Sequence, residues 1–296
     1  MDLAIRTWDL SKRYGRKHAL EGIDLEVPRN VVFGYLGPNG SGKTTTIRLL
    51  AGLLRPTGGR AEVLGQDVVR DRESVQRLIG YLPGDFVAYP DLTSEQFLRY
   101  LSSLRGGVDW SVVEDLAKRL QLDLDRRIGT LSHGNRQKVG IVQAFMHGPE
   151  VLILDEPTSG LDPLVQREFL DLLREARDQG RTVFLSSHVL SEVEAVADVV
   201  GILRAGRLVV TDTVKRLEQQ AVRRMDLVFA GTPPVEQLRL ASGVLDLQVT
   251  GHTAHVSIEG STAALIAAAA PYEVENVVTH EADLEQVFLG WYAQDR

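Results

Sequence analysis

The sequence predicts an α/β fold: buried core strands with helices packed on them, followed by a separate small α+β domain. Three observations predict this fold. An apolar strand at residues 31–36 leads directly into a glycine-rich loop and a helix. Apolar runs at 151–154 and 182–185 are typical of strands that are buried on both faces. After residue 220 apolar and polar residues alternate, as they do in half-exposed antiparallel strands.

Length, charge and composition narrow the possible classes of protein. The 296 residues suffice for about two domains. With 33 basic and 40 acidic residues the net charge is −7, so we expect no nucleic-acid partner. No apolar run approaches the ~18 residues that cross a bilayer, and the N-terminus lacks a signal-peptide layout, so we expect a cytoplasmic protein. Cysteine is absent, which excludes disulfides and thiolate metal sites.

The strongest motif is a glycine-rich loop that fits the pattern G-x-x-x-x-G-K-[ST] at every fixed position. It comprises Gly37, Pro38, Asn39, Gly40, Ser41, Gly42, Lys43 and Thr44. Glycines let backbone N–H groups approach phosphates, and the helix predicted at Thr45 to Leu54 adds a favourable field for anions. Lys43 supplies a positive charge, and the Thr44 hydroxyl is a hard oxygen ligand for Mg²⁺. The loop therefore predicts binding of a nucleoside triphosphate with Mg²⁺.

Polar residues end two of the predicted buried strands. Asp155 and Glu156 follow residues 151–154, and His188 follows 182–187. Ligands bind at the carboxyl ends of strands in open α/β sheets. We expect Asp155 to hold Mg²⁺, Glu156 to polarise an attacking water, and His188 to hydrogen-bond the terminal phosphate. The structural alternatives are a helix cap for the acids and an ordinary strand-end histidine.

The spacing of apolar residues and turn residues predicts further strands and helices. Strands are predicted at 3–10 and 19–27, and a hairpin at 199–210. Residues 92–122 are helical, with an apolar face formed by Phe97, Tyr100, Leu101 and Leu104. Asp162 and Pro163 start a helix that Gly180 closes. On its own residue pattern, Tyr14 fits either a ring stacked on a purine base or a tyrosine packed at a strand end.

The region after residue 220 is predicted as a domain of its own, residues 221–296. Strands are expected at 225–229, 244–249, 254–258 and 274–278, and helices at 261–270 and 282–291. The region shows no clustered acids or histidines in the sequence and no glycine loop. We therefore expect no catalysis there.

Residues 3 to about 218 resemble the nucleotide-binding subunit of ATP-binding cassette (ABC) transporters. The resemblance implies a P-loop NTPase (RecA-like) mixed sheet core in residues 1–220, with an antiparallel β subdomain and a helical subdomain at about 86–145. It implies that Tyr14 stacks on adenine, that Gly37 to Thr45 bind phosphates, and that Lys43, Glu156 and His188 are catalytic. It further implies a signature that contacts the partner's ATP, at Ser132, His133, Gly134 and Asn135, and a dimer-contacting loop at Ser159, Gly160, Leu161 and Asp162.

The chain departs from the family pattern at two places. His133 and Asn135 replace a glycine and a glutamine of the family's LSGGQ signature, and the Asn135 amide keeps capping feasible. After Ile79 to Pro83, Gly84 stands where the family usually has a glutamine that reaches Mg²⁺. Either Asp85 substitutes as a metal contact or neighbouring loop residues take over the coupling.

The resemblance also implies partners. The C-terminal segment, with residues 281–289 near its end, resembles the accessory domain of bacterial drug- and antibiotic-export ATPases, which favours an exporter of drugs, antibiotics or other hydrophobic compounds. It implies a homodimer or heterodimer of nucleotide-binding subunits, with two transmembrane permease subunits that place the chain on the cytoplasmic face of the membrane. Two alternatives stay open: a nucleotide-gated binding protein without transport, and a degenerate cassette that does not hydrolyse ATP.

Overall fold

The computed structural model describes residues 2–220 and 222–280, and the chain divides after Thr211 into two compact units. The division lies earlier in the chain than residue 220, where the sequence pattern changes. It falls within a strand that spans Arg207–Thr213.

The first unit contains a six-stranded central sheet. Its strands are β3 (Val32–Leu36), β6 (Ile79–Leu82), β7 (Val151–Asp155), β8 (Thr182–Ser187), β9 (Val199–Arg204) and β10 (Arg207–Thr213), in the spatial order β10-β9-β3-β8-β7-β6. The five strands from β9 to β6 pair in parallel. Every residue of β3, β7 and β8 is buried, which explains their continuous apolar runs. The predicted hairpin at 199–210 is confirmed as β9 and β10.

An antiparallel sheet packs against the central one. It comprises β1 (Leu3–Tyr14), β2 (Lys17–Pro28), β4 (Gly58–Val63) and β5 (Gln66–Asp67), in the order β2-β1-β4-β5. Leu10, Leu20, Phe33 and Phe184 share one buried core with α1 (Lys43–Leu50). The sequence did not predict β4, whose Gly59 has φ 69° and whose Cβ, if present, would lie 2.2 Å from the Asp9 carbonyl oxygen. The helix after the loop begins earlier than predicted, at Lys43.

Six more helices complete the described first unit. They are α2 (Arg72–Leu78), α3 (Ser94–Leu104), α4 (Trp110–Arg119), α5 (His133–Phe145), α6 (Pro163–Asp178) and α7 (Leu190–Glu194). The next helix, α8 (Val214–Gln220), begins after the division at Thr211 and belongs to the second unit. Thr93 and Gln96 form a capping box at α3, and the Asp162 carboxylate caps α6 by accepting from Val165 N–H at 3.0 Å. The predicted apolar face of 92–122 is only partly buried, since Tyr100 is 46% and Leu104 66% exposed.

After α8, the second unit contains a four-stranded antiparallel sheet with two helices on one face. The elements β11 (Arg223–Phe229), α9 (Val235–Arg239), β12 (Val244–Thr250), β13 (Thr253–Ile258), α10 (Ala263–Ala269) and β14 (Val274–Thr279) follow one another. The sheet order is β12-β13-β11-β14, which is the ferredoxin-like arrangement. Its core includes Met225, Phe229, Leu238 and Leu265. The helix predicted at 282–291 lies outside the described residues.

One expectation for this unit is wrong: acidic and histidine side chains do cluster in it. Asp226 Oδ1 lies 2.7 Å from His255 Nδ1, and Asp226 Oδ2 lies 3.0 Å from His280 Nε2. Hydrogen bonds from His280 and His255 lower the pKa of Asp226. The three residues come from β11, β13 and the end of β14, so only the strand pairing brings them together.

None of the helices in the described ranges is long and apolar enough to span a bilayer.

We expect Phe184→Ala to destabilise the first unit by about 3–5 kcal/mol, because it leaves a cavity in a close-packed core. The Phe184 ring is fully buried and stacks on Phe33 with centroids 5.5 Å apart. Urea unfolding of the full chain, followed by circular dichroism, measures the change. Leu164→Ala is the control, because this side chain is 74% exposed and its loss should cost little.

Candidate active site

The glycine-rich loop joins β3 to α1 at the carboxyl end of the central sheet. Gly40 and Gly42 have φ angles of 80° and 116°, and a Cβ on Gly37 would lie 2.4 Å from the Leu203 carbonyl oxygen. The loop therefore needs glycine at these positions. No side chain caps α1, so its first N–H groups are free to bind an anion. In the described part of the chain, the Ser41 hydroxyl is buried without a hydrogen-bond partner.

Lys43 is buried inside this loop. Its side chain is 5% exposed, and its ammonium donates to the Gly37 carbonyl oxygen at 2.7 Å. The same ammonium lies 3.2 Å from Glu156 Oε1. Thr44 follows it in the first turn of α1 and is exposed. The loop thus holds a cation beside an acid at the end of the neighbouring strands.

Asp155 ends β7 and is 1% exposed. The Ser186 hydroxyl, directly opposite on β8, donates to Asp155 Oδ1 at 2.6 Å. The same hydroxyl oxygen accepts from the Glu156 N–H at 3.1 Å. A buried carboxylate needs such donors, because removing it from water without hydrogen bonds costs on the order of several kcal/mol. Ser186 therefore fixes both acids, a role that the sequence pattern did not predict.

Glu156 and His188 form the outer part of the site. Glu156 has a positive φ of 48°, which turns its side chain out of the strand direction. Glu156 Oε2 lies 2.6 Å from His188 Nδ1, while Oε1 faces Lys43. The Glu156 carboxylate therefore lies between two nitrogen groups, and the three residues predicted as catalytic are brought together.

Gly84 lies beside the buried acid. A Cβ added to Gly84 would lie 3.4 Å from Asp155 Oδ2, which is ordinary van der Waals contact. The position thus has room for the first atom of a longer side chain directed at this carboxylate. Asp85, its neighbour, is exposed.

The predicted signature begins α5. Ser132 caps the helix, with its hydroxyl oxygen accepting from Asn135 N–H at 3.3 Å. His133 and Gly134 pack on the predicted dimer loop: a Cβ on Gly134 would lie 2.1 Å from the Gly160 carbonyl oxygen, and one on Gly160 would lie 2.5 Å from the His133 ring. Only glycine allows this approach. Of the dimer loop, Ser159 and Asp162 are exposed and Leu161 is buried.

Two further links join the elements of the site, and neither is predicted by the sequence pattern. The Gln137 amide donates to the carbonyl oxygens of Glu156 and Pro157, at 3.4 and 3.3 Å, and so connects α5 to the end of β7. Glu192 of α7 accepts from the hydroxyls of Thr158 and Ser187, at 2.7 and 3.3 Å. Because the partners lie far apart in the chain, no local motif identifies these links.

Tyr14 ends β1, with its ring 47% exposed and the Lys12 ammonium 5.3 Å from the ring centroid. The ring is not packed into the core, so its face is accessible to a planar ligand. Its stacking on a base stays a prediction.

Comparison with known proteins identifies this arrangement. Residues 20–159 match the ABC transporter family. The chain is 37% identical over 211 residues to the bacitracin transport ATP-binding protein BcrA of Bacillus licheniformis, covering 70% of this chain and 69% of that protein. It is 35% identical to the daunorubicin resistance ATP-binding protein DrrA3 of Streptomyces coeruleorubidus, covering 100% of this chain and 98% of the relative. The chain belongs to the ABC transporter family. It is an ATP-hydrolysing, ATP-binding subunit of that family.

Solved structures agree with this assignment. An ATP-binding subunit of an ABC transporter superposes with a TM-score of 0.68 at 32% identity, covering 73% of this chain and 92% of that one. A dimeric bacterial ABC transporter cassette has a TM-score of 0.66 at 22% identity, covering 71% and 98% of the two chains, and so shows the same fold. The predicted P-loop α/β core with its antiparallel sheet is confirmed.

We expect Ser186→Ala to lower the rate of ATP hydrolysis by about tenfold, because leaving a buried acceptor without its hydrogen-bond donor costs about 1–3 kcal/mol. The variant leaves Asp155 Oδ1 without its 2.6 Å donor while Lys43 and Glu156 are retained. Steady-state phosphate release measures the change. Ser191→Ala, at an exposed serine, is the control, and equal rates for the two variants would show that Ser186 does not organise the site.

Proposed function

We propose that this ATP-hydrolysing subunit works with Mg²⁺ as one of two cassettes that power a separate membrane exporter of drugs, antibiotics or other hydrophobic compounds. One observation carries the proposal: the Glu156 carboxylate lies between the Lys43 ammonium and the His188 ring, beside the buried Asp155. An acid, a cation and an imidazole at the carboxyl edge of a parallel sheet suit phosphoryl transfer to water.

The donor set fits Mg²⁺. Asp155 and the exposed Thr44 hydroxyl offer the hard oxygen ligands that this ion prefers, and the loop cradle fits phosphate oxygens. Bound Mg²⁺ neutralises charge on the phosphate oxygens. Asp85 is a further candidate ligand, because the neighbouring Gly84 lies against Asp155.

In the proposed reaction, water attacks the terminal phosphorus of ATP, the bond to the bridging oxygen breaks, and ADP leaves. Glu156 orients the water and accepts its proton, and His188 holds the carboxylate in place through the 2.6 Å contact. Lys43 and the loop N–H groups stabilise the negative charge on the phosphates. Catalysis thus rests on positioning and charge neutralisation.

We propose that a second cassette completes the site. Ser132 and the N-terminus of α5 are exposed, and they would bind the terminal phosphate held by a partner's loop. The exposed Ser159 and Gly160 of the dimer loop would lie at the same interface. The dimer is composed of two copies of this chain or of this chain and a related one.

We propose that the permease docks on exposed apolar side chains beside Gly84. Val87 is 85%, Tyr89 58% and Tyr100 46% exposed, and Tyr89 lies edge-on to Tyr100 with ring centroids 6.3 Å apart. Exposed apolar patches of this kind mark interaction surfaces. Docking there would hold the chain on the cytoplasmic face of the membrane. The relatives named for bacitracin transport and daunorubicin resistance support an export role.

We expect Glu156→Gln to bind ATP but to hydrolyse it about 100-fold more slowly or worse, because the amide cannot accept the proton. With ATP and Mg²⁺ the variant should accumulate as a dimer. Phosphate release and size-exclusion chromatography measure the two effects, and the wild-type specific activity should rise with protein concentration. Glu114→Gln, at an exposed acid on α4, is the control. A Glu156→Gln variant that stays monomeric in ATP and Mg²⁺ would contradict the two-cassette mechanism, while a wild type without activity would favour the degenerate-cassette alternative.

If Asp85 contacts the metal, Asp85→Ala should raise the Mg²⁺ concentration needed for half-maximal hydrolysis, by about tenfold. The double variant Gly84→Gln/Asp85→Ala places the family's glutamine at position 84. It should return the Mg²⁺ requirement to that of the wild type, because position 84 lies against Asp155. Mg²⁺ titration of the ATPase rate tests both variants. An unchanged titration curve for Asp85→Ala would rule out the metal role of this residue.

A further inference from the structure

A cavity of about 820 Å³ lies in the first unit, far along the strands from the phosphate loop. Arg77, His147 and Arg181 line it, and they lie just before β6, β7 and β8, respectively. The cavity is therefore at the amino ends of these strands, whereas the loop and the acids follow carboxyl ends. It is not part of the site described above.

The cavity has an apolar floor. Leu116 from α4, Phe145 and Met146 at the end of α5, and Leu172 and Ala176 from α6 line it, and each is at most 6% exposed. Its volume lies within the ~300–1,000 Å³ that is typical of sites for single small molecules. The cavity therefore has the size of a site for one small molecule.

Its rim is positively charged. Arg77, Arg105 and Arg181 line the cavity, and none of them forms an ion pair with a carboxylate of residues 2–220 or 222–280. The Arg105 guanidinium reaches only the Gln76 carbonyl oxygen, at 3.4 Å. Arg181 is half-buried, whereas Arg77 and Arg105 are exposed, and three guanidinium groups without a carboxylate partner around one cavity suit an anion.

The acids at the cavity cancel only part of this charge. Glu175 is held by Arg119 through two contacts of 2.6 and 2.7 Å. Asp109 caps α4, accepting from the N–H and the hydroxyl of Ser111. Asp109 and Asp115 are then the two lining carboxylates, within the described residues, that no arginine holds, and the three arginines exceed them by one positive charge.

His147 is a titratable residue in the lining of the cavity. Burial lowers the pKa of its imidazole to about 4, and the charges of Arg105 and Arg181 contribute to the shift. Its Nε2 lies 3.1 Å from the Ile79 carbonyl oxygen, so the neutral ring donates there. The ring adds no charge of its own near neutral pH, and the positive potential at the cavity comes from the arginines.

We propose that this cavity binds a small organic anion, with an aromatic or aliphatic body on the apolar floor and a carboxylate, sulfonate or phosphate held by Arg77, Arg105 and Arg181. Guanidinium groups bind such anions through paired N–H···O contacts, which give both strength and orientation. The site goes beyond ATP hydrolysis and transport, and neither activity is needed to test it.

Two fluorescent probes of nearly the same apolar body separate charge recognition from apolar binding. 8-Anilinonaphthalene-1-sulfonate carries a sulfonate, and N-phenyl-1-naphthylamine is uncharged. Titration of the full chain with the anionic probe should show one site per chain. Arg105→Gln/Arg181→Gln should weaken this binding by at least about tenfold and leave the affinity for the neutral probe unchanged.

The matched control is Arg16→Gln/Arg70→Gln, which removes two exposed arginines that do not line the cavity. It should bind both probes as the wild type does, and both double variants should still bind ATP. Equal affinity of all three proteins for the sulfonate would overturn the proposal. Loss of both probes in Arg105→Gln/Arg181→Gln would also overturn it, because the arginines would then only support the shape of the cavity.

Discussion

The parallel pairing of β3, β8 and β7 is the constraint on which the site depends. Backbone hydrogen bonds place Leu36 beside Ser187 and Asp155 beside Ser186, so the phosphate loop, the two acids and His188 emerge at one edge. A one-residue slip would turn every side chain to the opposite face. The Ser186 hydroxyl reinforces the register, since it contacts Asp155 and the Glu156 N–H together. The strand pairing that stabilises the sheet core therefore also sets the geometry of the catalytic residues.

The change of backbone direction at Glu156 separates the tasks of two adjacent acids. Asp155 follows the strand and stays buried, whereas Glu156, at φ 48°, leaves it and reaches Lys43 and His188. A non-glycine residue in this region costs of order 1 kcal/mol or more and persists only where surrounding contacts hold it. Ser186 from one side and the Gln137 amide from the other supply those contacts. The conformation thus serves the chemistry and not the folding.

Local patterns account for what the sequence predicted. The loop at 37–44, the acids after 151–154 and the Asp162 cap each depend on neighbouring residues, and each lies where expected. Ser186, Gln137 and the Asp226 cluster depend on pairing between distant segments, which composition and spacing do not encode. Helical periodicity identified the apolar face that includes Tyr100 and Leu104. Periodicity does not show whether another element packs on such a face, and in this chain both side chains are exposed.

The arginine-rimmed cavity and the active site lie at opposite ends of the same strands. A strand rises about 3.3 Å per residue, so the five residues of β7 separate the two sites by about 16 Å. Direct electrostatic effects over this distance are largely screened. The cavity walls, however, come from α3 and α4 on one side and from α5 and α6 on the other. Since Ser132 caps α5 and Gln137 of α5 contacts the Glu156 carbonyl oxygen, an occupant that changes the spacing of these helices would act on catalysis through α5. Coupling between the sites therefore requires two arrangements of α5, and not a change in the field at Glu156.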